Sequence, residues 1–232
     1  MKYVNMKPKP KQITSSEETR KRLIQAGITL FGRAGKDAVS TRELAKKADT
    51  NLNAIQYHFG GKDELYLEVA RQLAQQINGQ TRMMIETVGQ DFEQLAPQDA
   101  AQLAADLIVQ TSRTFLSLPD LASRGGFMMR EQLQPSDAFN SIIYPDFVAP
   151  MHSVLTALVA KATGDQPHSA RTITRAHALY GQALAFGAAG ETWRRRLGAT
   201  ENTEANAELA FDAIRQTTLA ALQHYAANKD ES

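Results

Sequence analysis

The stretch Thr41–Ala70, TRELAKKADTNLNAIQYHFGGKDELYLEVA, decides how the chain folds. Ser40 stands just before it and Glu43 three residues on, the spacing of a capping box at a helix start. Leu44, Ala45 and Ala48 give the following helix a short apolar face, enough for about two turns. Asp49-Thr50-Asn51 is a turn, and Asn51 can cap the next helix. Leu52 to Phe59 reads as that helix, again short, with Ile55 and Phe59 four apart and facing inward. Gly60-Gly61 breaks it. A longer helix starts at Lys62 or Asp63 and places Leu65, Val69, Leu73 and Ile77 at every fourth position.

Working upstream, Ser15 and Glu18 have capping-box spacing. Leu23, Ala26, Leu30, Phe31 and Ala34 come next at helical spacing, and Gly35 is a stop. Three small helices, the last two joined by a tight turn, form a helix-turn-helix. Two short helices cannot bury themselves, so Leu23, Leu30 and Phe31 form a floor beneath Leu44, Ile55 and Phe59. The third helix then projects Leu52, Asn53, Gln56 and Tyr57 outward. Its width suits the DNA major groove. The Gln56 amide can contact adenine bidentately, and Asn53 carries the same chemistry on a shorter stem. Tyr57 and His58 can donate to phosphates, although Tyr57 could instead pack on the core. Thr41 and Lys62 stand at helix starts, where free N–H groups favour phosphate.

The Thr41–Ala70 segment resembles the DNA-binding domain of TetR-type bacterial transcriptional regulators. The preceding RLIQAGITLFGRAGKDAVSTRELA fits as well, so the resemblance covers about residues 16–75. Tyr57-His58-Phe59, then Lys62 and Leu65-Tyr66, carry it most strongly. The resemblance implies that Thr41 and Arg42 touch the DNA from the second helix. It puts Asn51, Leu52, Asn53, Ala54, Gln56, Tyr57 and His58 at the DNA face, with Lys62 clamping a phosphate. Leu52 stands where a polar residue is frequent and Asn53 where glycine is common, which bears on the operator sequence. The later part of the chain is similar to the CecR/CerR-type branch. Arg130-Glu131-Gln132, Pro135, Phe139, Pro150, His152–Ala160, His177, Gly181, Gln182 and Phe186 carry that likeness. It implies links to antibiotic-sensitivity and transporter genes.

The rest of the chain reads as helix. Ala100–Leu118 lies between Pro97 and Pro119. Gly125-Gly126 interrupts an apolar segment before a turn or two over Phe127–Leu133. Ser136 to Thr163 is kinked or divided near Pro145 and Pro150. Ala170–Ala189 and Asn206–Ala226 complete the set. No alternating strand pattern and no internal repeat is visible. The predicted fold class is all-α: a flexible basic arm over 1–15, a three-helix helix-turn-helix DNA-binding domain over 16–61, and a helical effector-binding and dimerisation domain over 62–232.

Charge divides along the same line. Residues 1–80 carry 14 Lys/Arg and 8 Asp/Glu, against 12 and 17 in residues 81–232. A basic end on an acidic body fits a polyanion-binding module on a sensing module, or chance segregation of surface charge.

Candidate effector-pocket residues are Phe127, Arg130, Glu131, Phe139, Tyr144, His152, His177 and Phe186. Met128, Met129 and Phe147 join them as apolar lining, or all of these are plain core. Arg130-Glu131 is a pocket pair or a solvated face. His152 and His177 are ligand contacts, pH sensors or core histidines. Arg194-Arg195-Arg196 is a solvated run or a second polyanion site. The last two long helices, including Ala183, Leu184, Phe186, Leu219 and Leu222, are expected to form a homodimer interface, or to pack wholly within one chain.

The chain has no cysteine, which excludes thiolate catalysis and cysteine-ligated metals. No catalytic signature, cofactor motif or metal site is found. The charge-free run Ala176–Gly190 is shorter than the about 20 residues needed to span a bilayer, and the N-terminus has no signal-peptide pattern. Together with these exclusions, the resemblance and the faces of the last two helices imply a cytoplasmic homodimer and no enzyme. It binds a near-palindromic double-stranded operator and an unknown small-molecule effector, most simply as a repressor. The alternative is a helical effector-binding interaction module without sequence-specific DNA binding.

Overall fold

The computed structural model describes residues 15–90, 92–117, 120–187 and 190–228, apart from the side chains of 77–90, 117, 121 and 122. The basic arm before Ser15, and the side chain of Ile77, lie outside the described residues. Among the described residues the regular structure is helical, with no strand. The head comprises α1 (Ser15–Ala34), α2 (Thr41–Lys47) and α3 (Asn53–Phe59). Then α4 (Lys62–Gln90) leads into a body of α5 (Pro97–Ser117), α6 (Leu121–Leu133), α7 (Ala149–Thr163), α8 (Ala170–Gly187), α9 (Gly190–Arg196) and α10 (Glu204–Ala227). A 3₁₀ turn, Phe92–Gln94, precedes α5, and a π-helical segment, Phe139–Val148, precedes α7.

The head's local chemistry agrees closely with the sequence pattern. The Ser40 hydroxyl accepts from the Glu43 N–H, and the Glu43 carboxylate accepts from the Ser40 N–H at 2.8 Å, closing the capping box of α2. These side-chain and backbone bonds hold the Glu43 carboxyl below its ordinary value. The Asn51 side chain accepts from the Ala54 N–H at 3.0 Å and starts α3. Gly60 ends α3 in the left-handed conformation, φ 85°. By contrast Ser15 is already helical, so it is not the cap of α1. Leu23, Phe31, Leu44, Ile55, Leu65 and Val69 are buried together, as a floor beneath two short helices requires.

That core does not stop at the head. Phe115, Phe127, Met128, Ile142, Ile143 and Phe147 belong to the same cluster. The link is α6, which runs unbroken through Gly125-Gly126 instead of being interrupted there. The glycines serve contact, not termination. A Cβ on Gly126 would stand 2.7 Å from the Gly32 carbonyl oxygen, and one on Gly32 would stand 1.9 Å from the Ser123 carbonyl oxygen. Backbones of α1 and α6 meet only because side chains are missing on both.

Pro145 explains the π segment. Proline lacks an N–H, and its ring crowds the carbonyl four residues back in α geometry. A wider turn relieves that crowding, and the Ala149 N–H reaches the Tyr144 carbonyl across the wider spacing. The stretch from 139 to 163 is thus bent but continuous. It is long and apolar enough by length and composition to cross a membrane. Here Ile142, Ile143, Phe147, Met151, Leu155 and Leu158 are core residues.

The body's own core brings together α5, α7, α8 and α10 through Leu107, Ile108, Leu155, Leu158, Leu179 and Ile214. Thr203 caps α10 by accepting from the Asn206 N–H. The arginine run lies on α9, where Arg194 and Arg195 pair with Glu191 at 2.8 and 2.7 Å. Of the residues expected at a dimer face, Ala183 and Leu222 are buried within the chain.

Gly32→Ala tests the close approach. A helical Gly→Ala change alone gains about 1 kcal/mol, whereas overpacking against a fixed backbone costs about 1–3 kcal/mol. Urea unfolding is expected to show a net loss for Gly32→Ala. A gain would mean that α1 and α6 are not locked in this contact.

Candidate functional site: the reading head and a body cleft

Helix α3 stands out from the head. Tyr57 is 80% exposed and Leu52 47%. Asn51, Asn53 and Gln56 are exposed beside them, His58 is half-buried, and Arg42 is exposed on α2 with Thr41 half-buried at its start. The α3 face therefore offers amides, a phenol and an imidazole, all hydrogen-bonding groups. Ala54 is the exception: it is buried and packs into the head, because its position in the short helix turns toward Ile55 and the floor.

Lys62 is spoken for. Its ammonium donates to the carbonyls of Lys36 and Val39, each at 3.1 Å, which ties the start of α4 to the α1–α2 connection. Two of its three donors are used inside the head. An open groove of about 450 Å³ lies between the starts of α1 and α3, with Ser15, Ser16 and Thr19 on one side and Asn53, Tyr57 and His58 on the other. Those α1 hydroxyls were not among the sequence-derived candidates. Hydroxyl residues in a first helical turn were the available signal.

The eight body candidates separate. Phe139, Tyr144, His152 and His177 line one cleft of about 690 Å³ between the π segment, α7 and α8. Gln132, His168, Ile173, Tyr180 and Leu184 join them, and the sequence reading placed none of these five in a pocket. Arg130 lies instead in a second cleft, about 620 Å³, which Arg194 and Glu191 also line. Its guanidinium lies against Gly35 and donates to the Arg33 carbonyl at the end of α1. Phe127 is core, with its ring 4.8 Å from that of Tyr66. Phe186 packs edge-on against Trp193. Neither lines the cleft.

Glu131 also turns away from the cleft, into a buried clasp. Its carboxylate accepts from the Tyr66 hydroxyl at 2.5 Å, and from the hydroxyl and N–H of Ser136 at 2.8 and 3.3 Å. Burial, and then the bond to Glu131, push the Tyr66 phenol well above its ordinary range, so it stays a donor. The clasp ties α4 to α6. Ion pairing does not join Arg130 to Glu131 among the described residues; the two adjacent side chains reach different helices, α1 and α4.

In the cleft, the His152 and His177 rings stack at 5.5 Å, and Tyr180 meets His152 edge-on at 4.7 Å. Burial, and then the neighbouring His177, hold His152 down at about 4. Among the described residues no cluster of His, Asp or Glu could hold a metal ion.

A compact three-helix head with an exposed third helix, joined to a helical body with a cleft, is the build of a helix-turn-helix regulator. Residues 23–69 match the family of bacterial regulatory proteins, tetR family, and residues 100–223 match the C-terminal domain of the HTH-type transcriptional dual regulator CecR. The CecR protein of Shigella flexneri is 36% identical over 208 residues, 88% of this chain and 92% of that protein. The crystal structure of Mycobacterium smegmatis AmtR shares the fold at TM-score 0.58 and 16% identity, covering 96% of this chain and 97% of that one. A transcriptional regulator from Rhodococcus sp. Rha1 does so at TM-score 0.55 and 22% identity, over 89% and 97%. The chain belongs to the TetR family of bacterial regulators, in its CecR branch. It is a ligand-responsive, DNA-binding transcriptional regulator, and its family is one of regulators rather than enzymes.

The His152 environment sets a pH dependence. Because the folded value, about 4, lies below the ordinary 6.5, the unfolded chain takes up the proton first. Stability from this site is complete above the ordinary value and declines as pH falls toward the folded one. The urea midpoint of wild type is expected to fall more steeply between pH 7 and pH 5 than that of His152→Gln. Parallel curves would mean that His152 is not held neutral.

Proposed function

We propose that the protein acts as a cytoplasmic homodimer, most simply a repressor, that reads a near-palindromic operator through α3 and releases it when an effector fills the Phe139–His177 cleft. The observation that carries this reading is the exposed face of α3, where Asn53, Gln56 and Tyr57 stand clear of the head without an acidic neighbour on the same helix. Gln56 and Asn53 read base edges. Tyr57, Thr41, Arg42 and the hydroxyls at the start of α1 hold phosphates, which fix register without carrying sequence information. Lys62 supports them from behind by keeping the α1–α2 connection in place.

Dimerisation is supported by the outer faces of α8 and α10. From Gln216 to Ala227 the exposed positions of α10 carry no acidic or basic residue besides His224, and α8 exposes Ala178 and Ala185. A helix face meant for water is ordinarily charged. Two such faces can pack closely about a twofold axis. Half-sites about 34–36 Å apart then bring both α3 helices to successive major grooves. The resemblance to CecR supports transporter or drug-sensitivity genes as targets.

Selection of binding sequences from a random DNA pool, at near-physiological salt, tests the reading. Enrichment of a palindrome is expected. General, salt-sensitive binding alone would leave the protein an effector-binding interaction module. On the selected site, Gln56→Ala is expected to cost about 1–3 kcal/mol and to relax preference at one base position. An equal loss on every sequence, measured by titration against single-base variants, would reassign Gln56 to the backbone.

A further inference from the structure

The lining of the Phe139–His177 cleft has an unusual composition. It contains no Asp, Glu, Lys or Arg, yet it holds His152, His168 and His177, three of the five histidines in the chain. Its walls are otherwise largely aromatic and aliphatic, with Phe139, Tyr144, Val148, Ile173 and Leu184. The space, about 690 Å³, admits a bicyclic aromatic body with room around it.

The polar groups at the cleft converge: His152, His177 and Tyr180 can each donate, beside Gln132, Ser153 and Thr156. His152 comes from α7 and His177 from α8, with rings 5.5 Å apart and 29° from parallel. Neither imidazole has a hydrogen-bond partner among the described residues. Tyr180, only 4% exposed, reaches the same place and its hydroxyl also lacks such a partner. The groups facing His152 across the cleft are therefore His177, Tyr180 and, farther along the lining, Tyr144 and His168. No carboxylate lines the cleft. The nearby Asp165 is closed on Arg175 at 2.6 Å.

This arrangement discriminates by charge. An organic cation would leave water without an acidic partner, which is costly in a mostly apolar site. An anion finds three donors without protein partners, half-buried His152, exposed His177 and buried Tyr180, and the two imidazoles can also become cations. We propose that the cleft takes an aromatic acid, whose carboxylate is seated between His152 and His177 and is neutralised by a proton taken from solvent onto that imidazole pair. The proton leaves the solvent, one imidazole becomes imidazolium, and the pair is held by a charge-assisted hydrogen bond. Burial and then the neighbouring His177 oppose the charging of His152. Burial likewise keeps the proton on Tyr180. The inference rests on reading the cleft as the effector site.

The test uses three probes on one skeleton, 2-naphthoate, 2-naphthamide and 2-naphthylmethylammonium, with the full chain. Histidine Cε1–H NMR signals locate binding, and His58 and His224, on the head and on α10, serve as internal references. Calorimetry in two buffers of different ionisation enthalpy counts protons. 2-Naphthoate is expected to move the His152 and His177 signals and to bind at least about tenfold more tightly than the ammonium. It should take up a proton on binding and tighten as pH falls from about 8 to about 6. The double variant His152→Gln, His177→Gln should remove both the proton uptake and the pH dependence of 2-naphthoate binding. Tighter binding of the ammonium, or carboxylate binding without proton uptake, overturns the ligand class. If the carboxamide alone moves the cleft histidines, the cleft is a site but not one for acids. If none of the three moves them, the effector-site reading falls and the ligand class falls with it.

Discussion

The contact between α1 and α6 is the constraint on which the rest of the structure depends. Backbone meets backbone at Gly32, Ser123 and Gly126, so the two helices have almost no freedom to slide or separate while remaining packed. Arg33 adds bonds to Ser123 and Asp120 at the start of α6, and Arg130 returns from α6 to the end of α1. At the next residue, Glu131 accepts from Tyr66 of α4. One short helix therefore holds two of the head's supporting helices at once. The head is thus braced against α6 as well as joined to the body through α4.

That geometry gives the cleft its leverage. Glu131 and Gln132 are consecutive: the first clasps α4, and the second lines the Phe139–His177 cleft. Ser136, which completes the clasp, leads directly into the π segment that supplies Phe139 and Tyr144. On the proposed reading, a ligand that moves the π segment would act on a carboxylate buried at 2% exposure. Such a group has few acceptable states: each donor withdrawn leaves a buried charge short of a bond, which is penalised far more than an exposed one would be. Small displacements in the cleft would thus be converted into a choice between a closed and an opened clasp, the kind of two-state element a population shift requires.

The head was legible because its signals are local. Ser40 and Glu43 declare a cap, Asn51 a second, Gly60 an end, and spacing alone places Leu44, Ile55 and Leu65 inside. The body was less so, because what decides it is non-local. Gly125-Gly126 looks like a break until Gly32 is known to lie across from it. Glu131 looks like a pocket or surface residue until Tyr66 and Ser136 surround it. Phe127 and Phe186 are aromatic, but only tertiary packing tells an aromatic that lines space from one that fills it. Ala54 differs for a smaller reason: one step from exposed Asn53 in a seven-residue helix, it is buried while still bordering the groove beside Asn53 and Tyr57. The α9 helix, GETWRRR, carries a single large apolar residue, Trp193, so it shows no apolar face to read.

The division of chemistry between the two ends reflects their tasks on the proposed reading. The head must keep one shape against a duplex, so its polar groups are committed: Lys62 to two carbonyls, Glu43 to Ser40, Asn51 to Ala54. Those left over, on α3, point where DNA would lie. The cleft is built the opposite way. Its donors His152, His177 and Tyr180 are left without protein partners, and burial keeps the first and last uncharged. A committed donor supports a shape, whereas an uncommitted one is free to meet something that arrives. A regulator needs both, and needs them connected. Here the connection is a helix that cannot shift against α1 without driving a carbonyl into a backbone.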